Sequence, residues 1–405
     1  MATSSGHVAV LGAGPVGLDA ALAATDAGLP VTVYEAGPAV GFHVRSWGHV
    51  RLFTPWRLNA SARMRSHLAR AGHEPPDGAA YPTGKDLADR LLRPLAALPA
   101  LAGRIRLGHR VAAVARASLL KHEHIGTRTR AAAPFRLLVD GPDGEYEDRA
   151  GLVLDCTGTY ATPNSLGDGG IAAPGERALA HRITRTLPPL HAEPGRWAGT
   201  VLLVGAGKSA QTAARGLAEL PGTRLEWLVR DRDPDWGEVP DDSLPERQRL
   251  VSVSRDLAAG GHERVTVRTG ARVTALAARA DGRVRAAVTT PAGPHEVVAD
   301  HVLALTGYAA DPALYRQLQI HECYATGAPM NVSAALLGSA GGDCLAQPAV
   351  GLETLRNPEP GFYILGAKSY GRLNTFLLRS GYGQVDEVAG AWAAAEEPLA
   401  ALRES

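Results

Sequence analysis

Cysteine is scarce: Cys156, Cys323 and Cys344 are the only three in 405 residues, and no two form a CxxC pair. Their number and scatter exclude a disulfide-stapled framework and the paired-thiol motif of zinc ribbons and dithiol reductases. A reducing cytoplasm is the expected setting. Charge of one sign is also lacking, with 42 Lys and Arg against 41 Asp and Glu. A net charge of +1 offers no bulk field for nucleic acid or an anionic membrane, so any anion must be bound locally. No apolar run approaches the roughly 20 residues of a membrane span. The polar stretch Met1–His7 leads straight into apolar sequence at Val8, from which we expect no secretory signal.

Glycine, by contrast, is plentiful, with 46 residues. It punctuates alternating strands and helices. His7–Leu11 reads as a strand, followed by a glycine turn, a helix over Gly14–Ala27 and a strand over Val31–Glu35. The same cycle returns as strand Val201–Val204, a glycine turn, helix Lys208–Leu220 and strand Leu225–Arg230. Alternation of this kind predicts an α/β fold with parallel, doubly wound sheets. Arg104–Leu107, Arg110–Arg116 and Phe135–Val139 read as short strands, with Lys121–Arg130 as a hairpin tip or mobile loop. Strand Gly151–Cys156 ends in Thr157-Gly158, and its counterpart His301–Leu305 ends in Thr306-Gly307. Strand, loop and helix follow over Gly361–Ala395. We therefore expect two Rossmann-like domains, residues 171–299 inserted into a discontinuous domain of 1–170 and 300–405.

Gly12-Ala13-Gly14-Pro15-Val16-Gly17 fits GxGxxG between a strand and a helix. Its first glycine allows the turn, its second lets amides approach a pyrophosphate, and its third lets helix and strand pack closely. The helix N-terminus favours the anion. Glu35 closes the next strand, where a carboxylate can accept both ribose hydroxyls of an adenosine. Gly205-Ala206-Gly207-Lys208-Ser209-Ala210 repeats the turn, but the matching strand ends in Arg230, with Arg232 close behind. A guanidinium there binds a 2′-phosphate that a carboxylate would repel. The first site should prefer a plain ribose and the second NADPH. Position 202 is leucine, so Gly207-Lys208-Ser209 is not the end of a P-loop. A flavin at the first site is the economical receiver of electrons from the second.

With these motifs in this order, the chain resembles flavoproteins with two dinucleotide-binding domains. It is most similar to flavin-containing, Baeyer–Villiger and N-hydroxylating monooxygenases, and more distantly to thioredoxin reductase. The carriers are Gly12 to Gly17 with Glu35, Asp155-Cys156-Thr157-Gly158-Thr159-Tyr160, and Gly205 to Ala210 with Arg230. Ala304-Leu305-Thr306-Gly307-Tyr308 and Gly361-Phe362-Tyr363-Ile364-Leu365-Gly366 complete the set. The FxGxxxHxxxY/F fingerprint is departed from: Gly175 and His181 are separated by five residues instead of three.

The resemblance implies FAD at Gly12, Gly14, Pro15, Val16, Gly17, Glu35, Trp47, Thr157, Gly158, Gly366, Lys368 and Gln384. It implies NADPH at Gly205, Gly207, Lys208, Ser209, Arg230, Thr306 and Gly307. Gly383-Gln384-Val385 would stand at the N-terminus of the last helix, beside the flavin. Either Asn59 or Thr54 would lie at the reacting edge of the flavin, with Arg51 nearby; Trp47, His49 and Arg51 either stack on the ring and hold an anionic substrate or simply pack. The activity implied is NADPH-dependent oxygenation of a small metabolite by dioxygen, at nitrogen, sulfur or beside a carbonyl, through a flavin peroxide. A flavin reductase without oxygen insertion and a nucleotide-binding redox sensor are the alternatives. We expect a monomer or homodimer with no nucleic-acid or membrane partner. His122-Glu123-His124 has ligand residue types but no further partners, so no metal is expected.

Overall fold

In the computed structural model, residues 6–240, 242, 244–338, 345 and 350–394 are described. They divide into two compact units, one running to Thr162 and resuming at Ala309, the other spanning Pro163–Tyr308.

The strand Val8–Leu11 sets the layering of the first unit. All four residues are apolar and buried, as a parallel strand covered on both faces requires. Side chains alternate between the faces. Val8 and Val10 pack with the helices Pro15–Asp26 and Leu378–Ala394, whereas Ala9 and Leu11 pack with Phe135, Leu137 and Val139 of an antiparallel sheet. Burial of Leu18 and Leu22 on the first helix contributes about 1.5–3 kcal/mol each. The parallel sheet has the order Phe362–Ile364, Leu152–Asp155, Val8–Leu11, Val31–Glu35, Ile105–Leu107. Leu11 pairs with Tyr34 on one side and Asp155 on the other, so the strands deliver Glu35 and Asp155 to the same sheet edge as the first glycine turn.

The second unit repeats this plan. Its parallel order is Val265–Arg268, Thr223–Leu228, Gly199–Val204, His301–Ala304, Ile183–Thr184. An antiparallel sheet of Arg272–Ala278, Val284–Thr290 and Gly293–Ala299 matches that of Arg110–Arg116, Phe135–Gly141 and Gly144–Ala150 in the first unit.

Several elements escape the sequence reading, namely the strand Gly144–Ala150, the helix Pro245–Ala258 and the three strands between 272 and 299. Their charged and alanine-rich sequences give weak apolar periodicity. Lys121–Arg130 joins two antiparallel strands, as a hairpin tip does, and is anchored there through Arg130. Arg130 is fully buried and donates to both carboxylate oxygens of Glu359, with its Nη2 at 2.7 Å from Oε2, and to the carbonyls of Leu120 and Glu123. Arg116 donates to Glu359 at 2.7 Å from the strand below. Among the described residues no helix is long and apolar enough to cross a membrane, and no His, Cys, Asp and Glu cluster could hold a metal. Cys344 lies outside the described residues.

Candidate dinucleotide-binding sites

Three glycines make the first turn, each for its own reason. Gly12 has φ +94°, and a Cβ there would stand 2.8 Å from the Cys156 carbonyl oxygen. At Gly17 a Cβ would lie 1.9 Å from the carbonyl oxygen of Gly12. Gly14 is different, because a Cβ would meet nothing within 4 Å. No atom of the described residues requires glycine there. Gly14 is the N-cap of the helix Pro15–Asp26, no side chain caps that end, and Pro15 has no N–H to satisfy. An open cradle at an uncapped helix N-terminus fits a pyrophosphate.

Glu35 is buried, and its carboxylate accepts the Ala13 amide at 2.8 Å and the Gly37 amide at 2.7 Å. It braces the glycine turn, and each oxygen keeps a lone pair for a further donor.

Thr157 and Gly158 follow the return strand. Thr157 is exposed, and Gly158 has φ +68° with open space where a Cβ would be. Trp47 lies flat on Gly84, where a Cβ would come 2.5 Å from the indole, and its ring is 6.3 Å from that of Tyr160. The Trp47 Nε1 is buried without a hydrogen-bond partner among the described residues. An orphaned donor of this kind is costly, and it suits a ligand oxygen.

The second turn repeats the first. Gly205 has φ +130°, and a Cβ would meet the Leu305 carbonyl oxygen at 2.2 Å; Gly207 caps the helix Lys208–Glu219 with nothing within 4 Å. Ala210, buried, takes the place of Gly17. Trp227 Nε1 donates to the Gly205 carbonyl at 2.7 Å, and Gln211 Nε2 to that of Ala206 at 2.9 Å. Ser209 is exposed at the helix start. Gly307 has φ +81° and is exposed, and the Thr306 hydroxyl donates to the Asn164 carbonyl at 2.8 Å. Arg230 is exposed and, like Arg232, makes no hydrogen bond or ion pair with the described residues. Asp231 between them accepts the Asp233 amide at 3.2 Å. Two free guanidiniums thus flank a carboxylate folded back into its own turn.

Several predicted site residues have their polar groups engaged inside the protein. Asn59 is buried; its Nδ2 donates to the carbonyls of Thr54 and Pro55 at 2.8 and 2.9 Å, and its Oδ1 accepts the Thr54 hydroxyl at 2.9 Å. Both amide hydrogens are committed, so the Asn59–Thr54 pair is a loop brace. Gln384 is buried and bridges the Gly366 amide and the Ser369 hydroxyl, each at 2.8 Å. It lies inside the helix Leu378–Ala394, not at its N-terminus. Gly366 has φ +74°, and a Cβ there would come 3.3 Å from Val16.

Lys368 is 1% exposed and pairs with Asp155 at 2.7 Å, which leaves it no surface for a ligand. Lys208 donates to the carbonyls of Trp236 and Gly237 at 2.9 and 3.2 Å, and burial, aided by Arg247, pulls its pKa down. Arg51 is exposed and without a polar partner among the described residues, bridged by backbone to Thr83. Sequence reasoning missed Gln211, Trp227 and Trp236, the supports of the second turn, because they come together only in the folded chain.

A family model for NAD(P)-binding Rossmann-like domains matches residues 10–68. None of the curated proteins matches the sequence. Among solved structures, bacillithiol disulfide reductase from Bacillus cereus is 18% identical with a TM-score of 0.68, over 96% of this chain and 99% of that one. An ornithine N-hydroxylase from Kutzneria sp. 744, solved with reduced FAD, NADP⁺ and L-ornithine, is 18% identical with a TM-score of 0.60, over 96% and 99%. A cadaverine monooxygenase from Erwinia amylovora, bound to FAD, is 14% identical with a TM-score of 0.60, over 96% and 94%. The chain thus has the fold of the flavoprotein oxidoreductases that carry two dinucleotide-binding domains.

Proposed function

We propose that the chain is an NADPH-dependent FAD oxidoreductase, and that it oxygenates a small metabolite at nitrogen, at sulfur or beside a carbonyl. One observation carries this reading: two equivalent glycine cradles, at Gly14 and Gly207, are open to a ligand, and the strand ends beside them bear opposite charge. Glu35 accepts the ribose hydroxyls of FAD with its remaining lone pairs, while the amides of the Pro15–Asp26 helix receive the pyrophosphate. Arg230 and Arg232 bind the 2′-phosphate of NADPH.

When bound, FAD supplies two-electron reduction by NADPH and reaction with dioxygen. In the net reaction one oxygen atom enters the substrate, the other leaves as water, and NADPH with one proton provides the two electrons. The chain's own part is to hold the nucleotides, shield the ring with Trp47, and offer Arg51 to an anionic group of the substrate.

A second reading, reduction of a small disulfide or other acceptor without oxygen insertion, is favoured by the higher TM-score to bacillithiol disulfide reductase. Burial, reinforced by the negative charge of Asp155, pushes the Cys156 thiol well up, which disfavours its use as a thiolate relay. An acceptor would then take electrons from FAD directly.

The test is to supply FAD and NADPH to the purified protein and follow NADPH oxidation and hydrogen peroxide with amine, thioether, ketone and disulfide candidates. Substrate-dependent NADPH oxidation with an oxygenated product supports the oxygenase. Oxygen-independent turnover with a disulfide or quinone supports the reductase. A protein that takes up no FAD removes both.

A further inference from the structure

Asp155 closes the return strand of the first unit, and its two oxygens have separate tasks. Oδ1 accepts the amide of Thr157 at 3.1 Å and its hydroxyl at 2.6 Å, which folds the chain end into a tight turn. Oδ2 meets Lys368 Nζ at 2.7 Å, and the same ammonium donates to Thr157 Oγ1 at 3.2 Å. It also stands 5.1 Å from the centre of the Tyr315 ring. Asp155 and Lys368 are both almost wholly buried, whereas Thr157 is exposed. Lys368 belongs to the short helical turn Gly366–Tyr370, so the pair ties that turn to Thr157-Gly158.

A buried lysine is costly unless it is paired. The second unit shows that the fold does not need this pair. There the equivalent run is Ala304-Leu305-Thr306-Gly307, with alanine in place of the acid, and Thr306 bonds to a backbone carbonyl instead. The charge therefore serves something particular to the first site.

We propose that Lys368 is a positioning residue for the flavin nucleotide: held by Asp155, its ammonium fixes the Thr157-Gly158 turn against the Gly366 turn without touching the nucleotide. The proposal rests on the assignment of FAD to the first unit. It separates Lys368 from the residues that contact the ligand and makes nucleotide binding depend on a buried charge balance. Removing the cation leaves a buried carboxylate, which takes up a proton to escape the desolvation cost. The other titratable groups around the pair are Glu322, which accepts the Tyr315 hydroxyl at 2.7 Å, Asp311 near the same ring, Asp19 near Cys156, and the Tyr315 phenol and Cys156 thiol themselves. Burial pushes the phenol and the thiol upward, so both stay protonated between about pH 6 and 9.

The experiment titrates FAD into flavin-free protein from about pH 6 to 9, following flavin fluorescence, with urea unfolding and NADPH binding measured on separate flavin-free samples as the checks on folding. Wild type should bind with an affinity that does not change with pH above about 7, where Asp19 is ionised. Lys368→Met should bind at least about tenfold more weakly at the alkaline end and recover as the pH falls, because the orphaned carboxylate becomes neutral. The double variant Asp155→Asn with Lys368→Met should be pH-independent again, since neither charge remains, but should still bind several-fold more weakly than wild type, since the tie between the two turns is gone.

A folded Lys368→Met protein with wild-type affinity overturns the proposal, as does a loss that is equal at every pH. If Lys368→Met does not fold, the double variant decides, and FAD binding by it that matches wild type or depends on pH overturns the proposal. Wild-type protein that takes up no FAD while binding NADPH overturns the assignment of the first site itself.

Discussion

Gly14 and Gly207 occupy equivalent places, and at both a Cβ would project into space with no atom of the described residues within 4 Å. The residues behind them differ. The first turn is braced by a buried carboxylate, with Glu35 accepting two backbone amides. The second is braced by neutral and cationic donors, Trp227, Gln211 and Lys208, which satisfy carbonyls of the turn and of the Trp236-Gly237 loop. The carboxylate of the second strand end is thereby replaced by free arginines at the surface. One backbone plan thus carries opposite charge at its two strand ends because the strand-end side chain can be changed once other groups hold the turn.

The comparison can be broken most severely at the third glycine. Gly17→Ala would press a methyl carbon to 1.9 Å from the Gly12 carbonyl oxygen, and the expected loss is about 3 kcal/mol or more in urea unfolding. The reverse exchange in the second unit, Ala210→Gly, should cost only about 1 kcal/mol. Equal losses at the two positions would mean that the turns do not share a geometry.

A pH dependence should also distinguish the units. Asp19, buried on the first helix, has its pKa raised to about 6 by burial, against the pull of Arg63 and the Ser61 hydroxyl. Its counterpart is Thr212, which cannot titrate in this range. Because the folded pKa lies above the unfolded one, the stabilisation is complete below the unfolded value near 3.8 and is lost as pH rises through about 6. The effect is up to about 3 kcal/mol. Unfolding of wild type and Asp19→Asn at about pH 4.5 and about pH 7.5 should show this falling component in wild type only.

A smaller effect is expected at the charged strand end. Arg230→Ala should raise KM for NADPH roughly tenfold and leave that for NADH nearly unchanged, since only the 2′-phosphate contact is lost. Equal changes for both cofactors would place the phosphate elsewhere. The smallest effect on stability belongs to the open glycines. Gly14→Ala and Gly207→Ala should shift unfolding by less than about 0.5 kcal/mol. The first should weaken FAD binding alone and the second NADPH binding alone, measured by fluorescence titration. Crossed or absent effects would remove the assignment of one nucleotide to each cradle.

Much of this was legible in the sequence because the requirements are local. A GxGxxG between a strand and a helix reports a tight turn, a close approach and a packing contact, all within six residues. The alternation of apolar strands and alanine-rich helices reported the parallel sheets for the same reason. The roles of single polar residues were harder to read. Asn59, Gln384 and Lys368 have the chemistry of ligand contacts, yet each is turned inward to a partner distant in the chain or already committed to a neighbouring carbonyl.

The sequence by itself determined where the two glycine cradles lie and which sign of charge stands beside each, since turn geometry and strand length follow from neighbouring residues. Tertiary structure alone decided which polar side chains remain free. Whether a carboxylate, amide or ammonium reaches a ligand depends on whether a segment hundreds of positions away has already claimed its hydrogen bonds, as Lys368 and Asp155 show across the sheet edge.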